Sequence, residues 1–401
     1  MGKSWEQRKL GMISSLLTGF PFNSEEYSKE GIQLIRGTNV KRGYLDLSKG
    51  ESVFWLSECG YEKYLLASED IVVQMDGALI GKSYAKLNPN HIPSLLVQRV
   101  TRIRSLPEFS ISSFLYSSLQ NNFERYIDTL KTNTAVPHLS LKDIANYPVF
   151  MPSLQEQKSI GQFFENFDNL ITLHHHQLDL LKEQKKGLLQ KLFPKDGSNV
   201  PELRFPEFTA PWEQRKLGQI VQITMGQSPD GSTYSETPSD YILIQGNADL
   251  LNGWVNPRIW TTQLTKIAEP GDLIMSVRAP AGAMGKTSYK AVIGRGVAAI
   301  KGNEFLFQLL SKMDSEGFWK PFSSGSTFES LNSEDIKKAP ILLPSLSEQE
   351  EIGSFFSNFD NLITLHQHQL DLLKEQKKGL LQKMFPKEGA LEPELRFPQF
   401  K

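Results

Sequence analysis

Twenty-six consecutive residues occur twice in this chain with a single change. Asn166–Lys191 reads NFDNLITLHHHQLDLLKEQKKGLLQK, and Asn358–Lys383 repeats it with Gln367 in place of His175. The offset is 192 residues, and Leu139, Asp143, Ile144 and Pro148 recur at the same offset as Leu331, Asp335, Ile336 and Pro340. A repeat of this length marks a duplicated structural unit that must be explained before any single motif. PELRFP at 201–206 returns at 393–398, and WEQRKLG at 5–11 returns at 212–218, now 207 residues on. The intervening regions therefore differ in length by about fifteen residues. Joining the C-terminus to the N-terminus would recreate the PELRFP-connector-WEQRKLG order of the middle of the chain. A pseudo-two-fold, quasi-circular arrangement with adjacent termini is expected.

The repeat predicts a long helix in each copy. Ser153-Leu154-Gln155-Glu156 and Ser345-Leu346-Ser347-Glu348 open the two segments with a capping-box pattern, the Glu expected to reach back to the helix start. Apolar positions then step four and three residues. The first series is Ile160, Phe164, Phe167, Ile171, His174, Leu178, Leu181, Lys185, Leu188 and Leu192. The second is Ile352, Phe356, Phe359, Ile363, His366, Leu370, Leu373, Lys377, Leu380 and Met384. This is a heptad seam, and Pro194 and Pro386 end it. Each helix is expected to run for roughly 37 residues, about 55 Å. The matching stripe is already in the chain, so an antiparallel coiled-coil pair is expected. His174 and His366 fall on the seam as candidate polar register residues. A metal reading of His174-His175-His176 fails, because Gln367 breaks it in the second copy and consecutive helical positions do not face one way.

Ahead of each helix lies a region that shares a plan but little sequence. Leu34–Val40 and Leu243–Asn247, then Asp70–Gln74 and Asp272–Ser276, read as short strands entering glycine-bearing loops. Helical stretches are expected near 110–130 and 305–318. Both domains read as mixed α and β, an α+β fold class. Boundaries are expected at 1–150 and 196–343 for the two domains (196–211 a connector), 151–195 and 344–387 for the helices, and 388–401 for a segment near the N-terminus. Polar residues after the strands are candidate DNA contacts, since Arg and Lys suit guanine edges and phosphates and Asn and Gln suit adenine. They are Arg36, Asn39, Lys41, Arg42, Lys82, Ser83, Arg102 and Asn133 in the first domain. In the second they are Gln245, Asn247, Arg278, Lys286, Arg295, Ser324, Ser326 and Thr327.

The formal net charge of −1 argues against an isolated, broadly basic nucleic-acid binder but permits local basic faces and partners that supply phosphate contacts. One cysteine, Cys59, excludes an intramolecular disulfide, and no apolar run approaches a membrane span or signal peptide, so a cytoplasmic location is expected. Phosphate-loop, dinucleotide-binding, HExxH and adenine-methyltransferase Pro-Pro-Tyr motifs are absent. A non-catalytic chain is expected, without bound cofactor or metal. Two alternatives remain: a rod joining two protein-binding modules without DNA, and a self-contained nuclease or methyltransferase, which the missing motifs disfavour.

Two divergent domains opened by WEQRKLG, each followed by a near-identical helix entered through MPSLQEQKSI (151–160) or LPSLSEQEEI (343–352), resemble the specificity subunit of type I restriction-modification enzymes, the HsdS family. The resemblance covers nearly the whole chain. It implies that each variable domain is a target recognition domain and that the helices form the spacer between them. It also implies double-stranded DNA and two methyltransferase subunits using S-adenosylmethionine as partners. Motor-nuclease subunits using ATP and Mg can join for restriction. A symmetric spacer carrying two different domains implies an asymmetric bipartite target.

Overall fold

The computed structural model describes residues 4–48, 50–77, 79–130, 138–195, 197–323, 330–387 and 389–400. Its contacts form two compact units, Met1–Leu173 with Gln369–Lys401, and His174–His368. The fold is two α/β domains with two long helices packed together. The helices are Leu154–Leu192 and Leu346–Met384, 39 residues each, hence about 58 Å at 1.5 Å per residue.

In both units WEQRKLG supplies a strand. Glu6–Lys9 pairs antiparallel with Pro148–Met151, and Glu213–Lys216 pairs with Pro340–Leu343. The exposed, polar EQRK sequence is no strand by hydrophobic alternation. It is held by its partner, the segment that leads directly into the long helix. Chain entry and exit of each domain are thus clasped together at the helix start.

Inside the clasp each domain carries two sheets. In the first, Ser14–Thr18, Val100–Ser105, Ile71–Gln74 and Tyr84–Lys86 form a four-stranded antiparallel sheet, and Ile32–Ile35 lies parallel to Ser94–Leu96 in a second. The second domain repeats this with Ile223–Met225, Val297–Ile300, Leu273–Ser276 and Met284–Lys286, and with Tyr241–Ile244 parallel to Ala291–Ile293. It extends both sheets with additional short strands. A helix follows in each, Ser112–Leu130 and Glu304–Ser315, packing an apolar face inward.

Neither domain closes its core alone. In the first unit Trp5 and Phe114 bury against Phe164 of the first long helix and Phe385 at the end of the second. The Phe114 and Phe385 rings stack at 5.5 Å. In the second unit Trp212 and Phe305 meet Phe356 and Phe193, with Phe193 and Phe305 stacked at 5.3 Å. Glycines let the domain helix approach. A Cβ on Gly161 would lie 2.8 Å from the Phe114 amide nitrogen, and one on Gly353 would lie 3.0 Å from that of Phe305. Glycine costs a helix interior about 1 kcal/mol relative to alanine, and here it admits a backbone.

The helices run antiparallel within each unit. Asp168 meets Lys377, Phe164 meets Phe385 and Glu156 meets Arg396; in the other unit His174 meets His366, Lys185 meets Asp360 and Phe193 meets Phe356. The same contacts recur with the helices exchanging roles. Ile160, Phe164, Leu178, Leu192, Ile352, Phe356, Leu370 and Met384 are buried, whereas Phe167, Ile171, Leu181, Leu188, Phe359, Ile363, Leu373 and Leu380 are half-buried. The Nδ1 atoms of His174 and His366 are 3.2 Å apart, so one must donate and the other accept.

The helix-start glutamates do not complete capping boxes. Ser153 and Ser345 accept the Glu156 and Glu348 amides, but the carboxylates turn away. Glu156 takes both arms of Arg396, at 2.7 Å each, and Glu348 takes Arg204 at 2.7 and 2.8 Å. A bidentate guanidinium satisfies a buried carboxylate better than one backbone amide does. This gives PELRFP its role: the segment leaving one helix locks onto the start of the other. The Trp5 amide donates to Leu391 O at 3.3 Å, as Trp212 donates to Asn199 O at 2.8 Å, so the chain's last segment sits beside its first. Arg396→Ala would leave Glu156 buried without its bidentate partner. Urea melts should show a loss of about 3 kcal/mol, while Lys387→Ala, at an exposed pair with Glu394, should leave stability nearly unchanged.

Candidate nucleic-acid interface

The strand-turn segments expected to bear DNA contacts are built alike in the two domains. After Ile32–Ile35 the chain makes a single 3-10 turn, Gly37–Asn39, and after Tyr241–Ile244 it makes another, Asn247–Asp249. The side chain that locks the first is Asn39. It accepts the Arg36 amide at 2.9 Å and donates to Asp46 O and Glu51 O at 2.9 and 3.0 Å, with no exposed surface. Asp249 plays the same part in the second, accepting the amides of Gln245 and Gly246. Asn39 is therefore a turn residue, and its structural match is Asp249.

Three more candidates face inward. Ser83 is fully buried, and Arg102 lies within a sheet with its guanidinium against Ser15 Oγ at 3.4 Å. Burial pulls the Arg102 pKa down, and neighbouring Arg104 adds to the effect. Lys286 sits 4.7 and 4.6 Å above the Trp254 and Phe307 rings and pairs with Glu304 at 2.9 Å. Such a cation is satisfied inside the domain. Asn39, Ser83, Arg102 and Lys286, expected from the sequence to contact DNA, are thus buried within their own domains.

The remaining candidates among the described residues reach the surface. Arg42 and Lys82 flank Glu124 at 3.1 and 3.0 Å, which gathers two cations from separate loops. Lys41 is half-buried, and Arg36 is half-buried and spends one arm on Glu51 O at 2.7 Å. In the second domain Arg278 and Arg295 are exposed, and Gln245 and Asn247 are half-buried. Asn133, Ser324, Ser326 and Thr327 lie outside the described residues.

Matching hydrogen bonds align the loops that follow the central strands. Met75 donates to Arg99 O and accepts from Leu139; Val277 donates to Gly296 O and accepts from Leu331. Asp76 thus occupies the place of Arg278, and Gln98 that of Arg295. Asp76 also holds Arg99 at 2.7 Å. At equivalent positions one domain offers a carboxylate and the other a guanidinium.

The model for the type I restriction modification DNA specificity domain matches residues 2–183 and again 210–375. The chain belongs to this family. A putative type I restriction enzyme MjaX specificity subunit of Methanocaldococcus jannaschii is 26% identical over 94% of this chain and 92% of its own length. The EcoBI specificity subunit of Escherichia coli is 24% identical over 87% and 78%. The crystal structure of the S subunit from M. genitalium shares the fold with a TM-score of 0.69, at 16% identity and 96% coverage of both chains. The protein is therefore the DNA specificity subunit of a type I restriction-modification system. As such it is non-catalytic and binds no cofactor itself; methylation and cleavage reside in partner subunits. Among the described residues no helix is long and apolar enough to cross a membrane.

Sequence reasoning missed the residues that attach the specificity subunit's readers to its helices. These include Lys86, which pairs with Glu165 of the first long helix, and Gln120 and Gln308, described below. The one available signal was a lysine on each apolar seam. Removing the three hydrogen bonds of Asn39 by Asn39→Ala should lower stability by about 2–3 kcal/mol. The methylated sequence should be unchanged, as thermal melts and methylome sequencing would register.

Proposed function

We propose that each variable domain reads one half of an asymmetric, two-part DNA target, that the helix pair sets the unread gap, and that it docks two methyltransferase subunits, with motor-nuclease subunits joining for restriction. The observation that carries this reading is the contrast between repeated and diverged parts. The helices, clasps and arginine clamps recur nearly unchanged, while the matched loops differ in charge, Asp76 against Arg278. A duplicated scaffold with unlike readers suits two different half-sites, which on one face of a duplex lie about 34–36 Å apart per helical turn.

Arg42, Lys82 and Lys41 in the first reader, with Arg36 beside them, and Arg278, Arg295, Gln245 and Asn247 in the second, are the proposed DNA contacts. With a net charge of −1, these local cations carry the phosphate attraction. Docking is proposed on a helix flank. Leu170 and Leu173 in the first unit, and Leu362 and Leu365 in the second, are 45–50% exposed one helical turn apart. Exposed leucines at this spacing suit an apolar partner helix, and their recurrence suits two copies of one partner.

Replacing 205–343 with the corresponding region of a related subunit should change one half of the methylated motif and leave the other intact. Methylome sequencing would show this, and a change in both halves would contradict it. The double variant Leu173→Glu/Leu365→Glu should lose co-purification with the methyltransferase subunit by at least about tenfold, an interface core tolerating buried charge poorly.

A further inference from the structure

In the first unit the Lys377 amine donates to Asp168 Oδ1 at 2.5 Å and to Gln120 Oε1 at 2.7 Å, and the Gln120 amide reaches the Asp168 carboxylate at 3.4 Å. The three residues come from the second long helix, the first long helix and the reader helix. In the second unit Lys185 donates to Asp360 at 2.5 Å, and Gln308 donates to Asp360 at 2.7 Å. The helices have exchanged roles, and the reader again supplies a glutamine.

The two glutamines do not occupy matching positions. Measured from the phenylalanines that stack on Phe385 and Phe193, Gln120 is six residues beyond Phe114, whereas Gln308 is three beyond Phe305. Two diverged helices thus deliver a glutamine to the equivalent aspartate, Asp168 or Asp360, from different turns. Shared ancestry at one position does not account for that.

A lysine on an apolar seam is a poor stabiliser. Burial depresses the Lys377 pKa, with Asp168 working against that shift. Polar groups at such positions instead select register. The aromatic quartet buries area but has little directionality, so the angle at which a reader sits on its helices needs directional contacts. The second unit adds more. Gln308 also donates to Glu304, which holds Lys286 between Trp254 and Phe307. In the first, Lys86, at the strand position matching Lys286, reaches the long helix directly through Glu165.

We propose that the Lys377–Asp168–Gln120 and Lys185–Asp360–Gln308 triads are positioning elements that fix the angle of each reader on the helix pair, and thereby the gap length the subunit accepts. This rests on the two-reader, spacer-helix reading above. Gln120 and Gln308 are the informative sites, because removing them uncouples the reader while leaving each lysine–aspartate pair intact.

The test uses the full chain with its methyltransferase subunit and a DNA library carrying the native half-sites at the native gap and at gaps one base shorter and longer. The wild type must first prefer one gap; if it reads no bipartite site, the underlying functional reading fails and the triads are not at issue. Given that preference, Gln120→Met and Gln308→Met should each reduce the ratio of native-gap to altered-gap methylation by about fivefold, contacting residues being coupled on this scale. The half-site bases should stay the same, and Gln120→Glu, which keeps an oxygen for Lys377, should retain more selectivity than Gln120→Met. Uniformly reduced methylation at all gaps, or folded variants with undiminished gap preference, would overturn the proposal. If Gln308→Met fails to fold, the partly exposed Gln120 site decides the matter.

Discussion

Everything in this protein depends on a reader core that is completed by both long helices. Phe385 lies 192 residues after Phe193, yet each closes the core of the domain that meets its own helix's C-terminal end. Stacked and edge-on rings at 5–6 Å make that closure apolar and well packed. A reader detached from either helix would expose part of its own interior. Recognition domain and spacer therefore form one folding unit at each location.

On this apolar base the polar contacts supply what burial cannot. The Arg396–Glu156 and Arg204–Glu348 pairs bring the segment after one helix to the start of the other. The strands of WEQRKLG bring domain entry and exit together at the same place. The repeated short motifs thus act as closure devices. Their repetition keeps the scaffold constant while the loops between them vary, as in the carboxylate of Asp76 against the guanidinium of Arg278.

The long helices were legible because period and repetition are local properties of the chain. Their ends, the mixed domains and the closeness of the termini followed. The candidate contacts were less legible because asparagine, lysine and arginine have two uses each. Asn39 has the side chain that suits adenine, and also the one that best locks a turn onto backbone amides. Only its enclosure by Asp46 and Glu51 decides between them. Lys286 is caged by Trp254 and Phe307, which lie 32 and 21 residues away, so nothing beside it in sequence announces the cage. Glu156 satisfied a capping pattern locally, but its partner is 240 residues on. For Lys286 and Glu156 long-range contacts outweighed what the local sequence offers.

The central claim is one chain with two unlike readers on one symmetric spacer. Methylome sequencing of cells carrying this chain and its methyltransferase subunit, against cells lacking the chain, tests it directly. The account predicts a methylated motif of two different half-sites separated by a fixed number of unread bases, present only with the chain. A contiguous motif, a palindromic one, or methylation unaffected by its loss would contradict it.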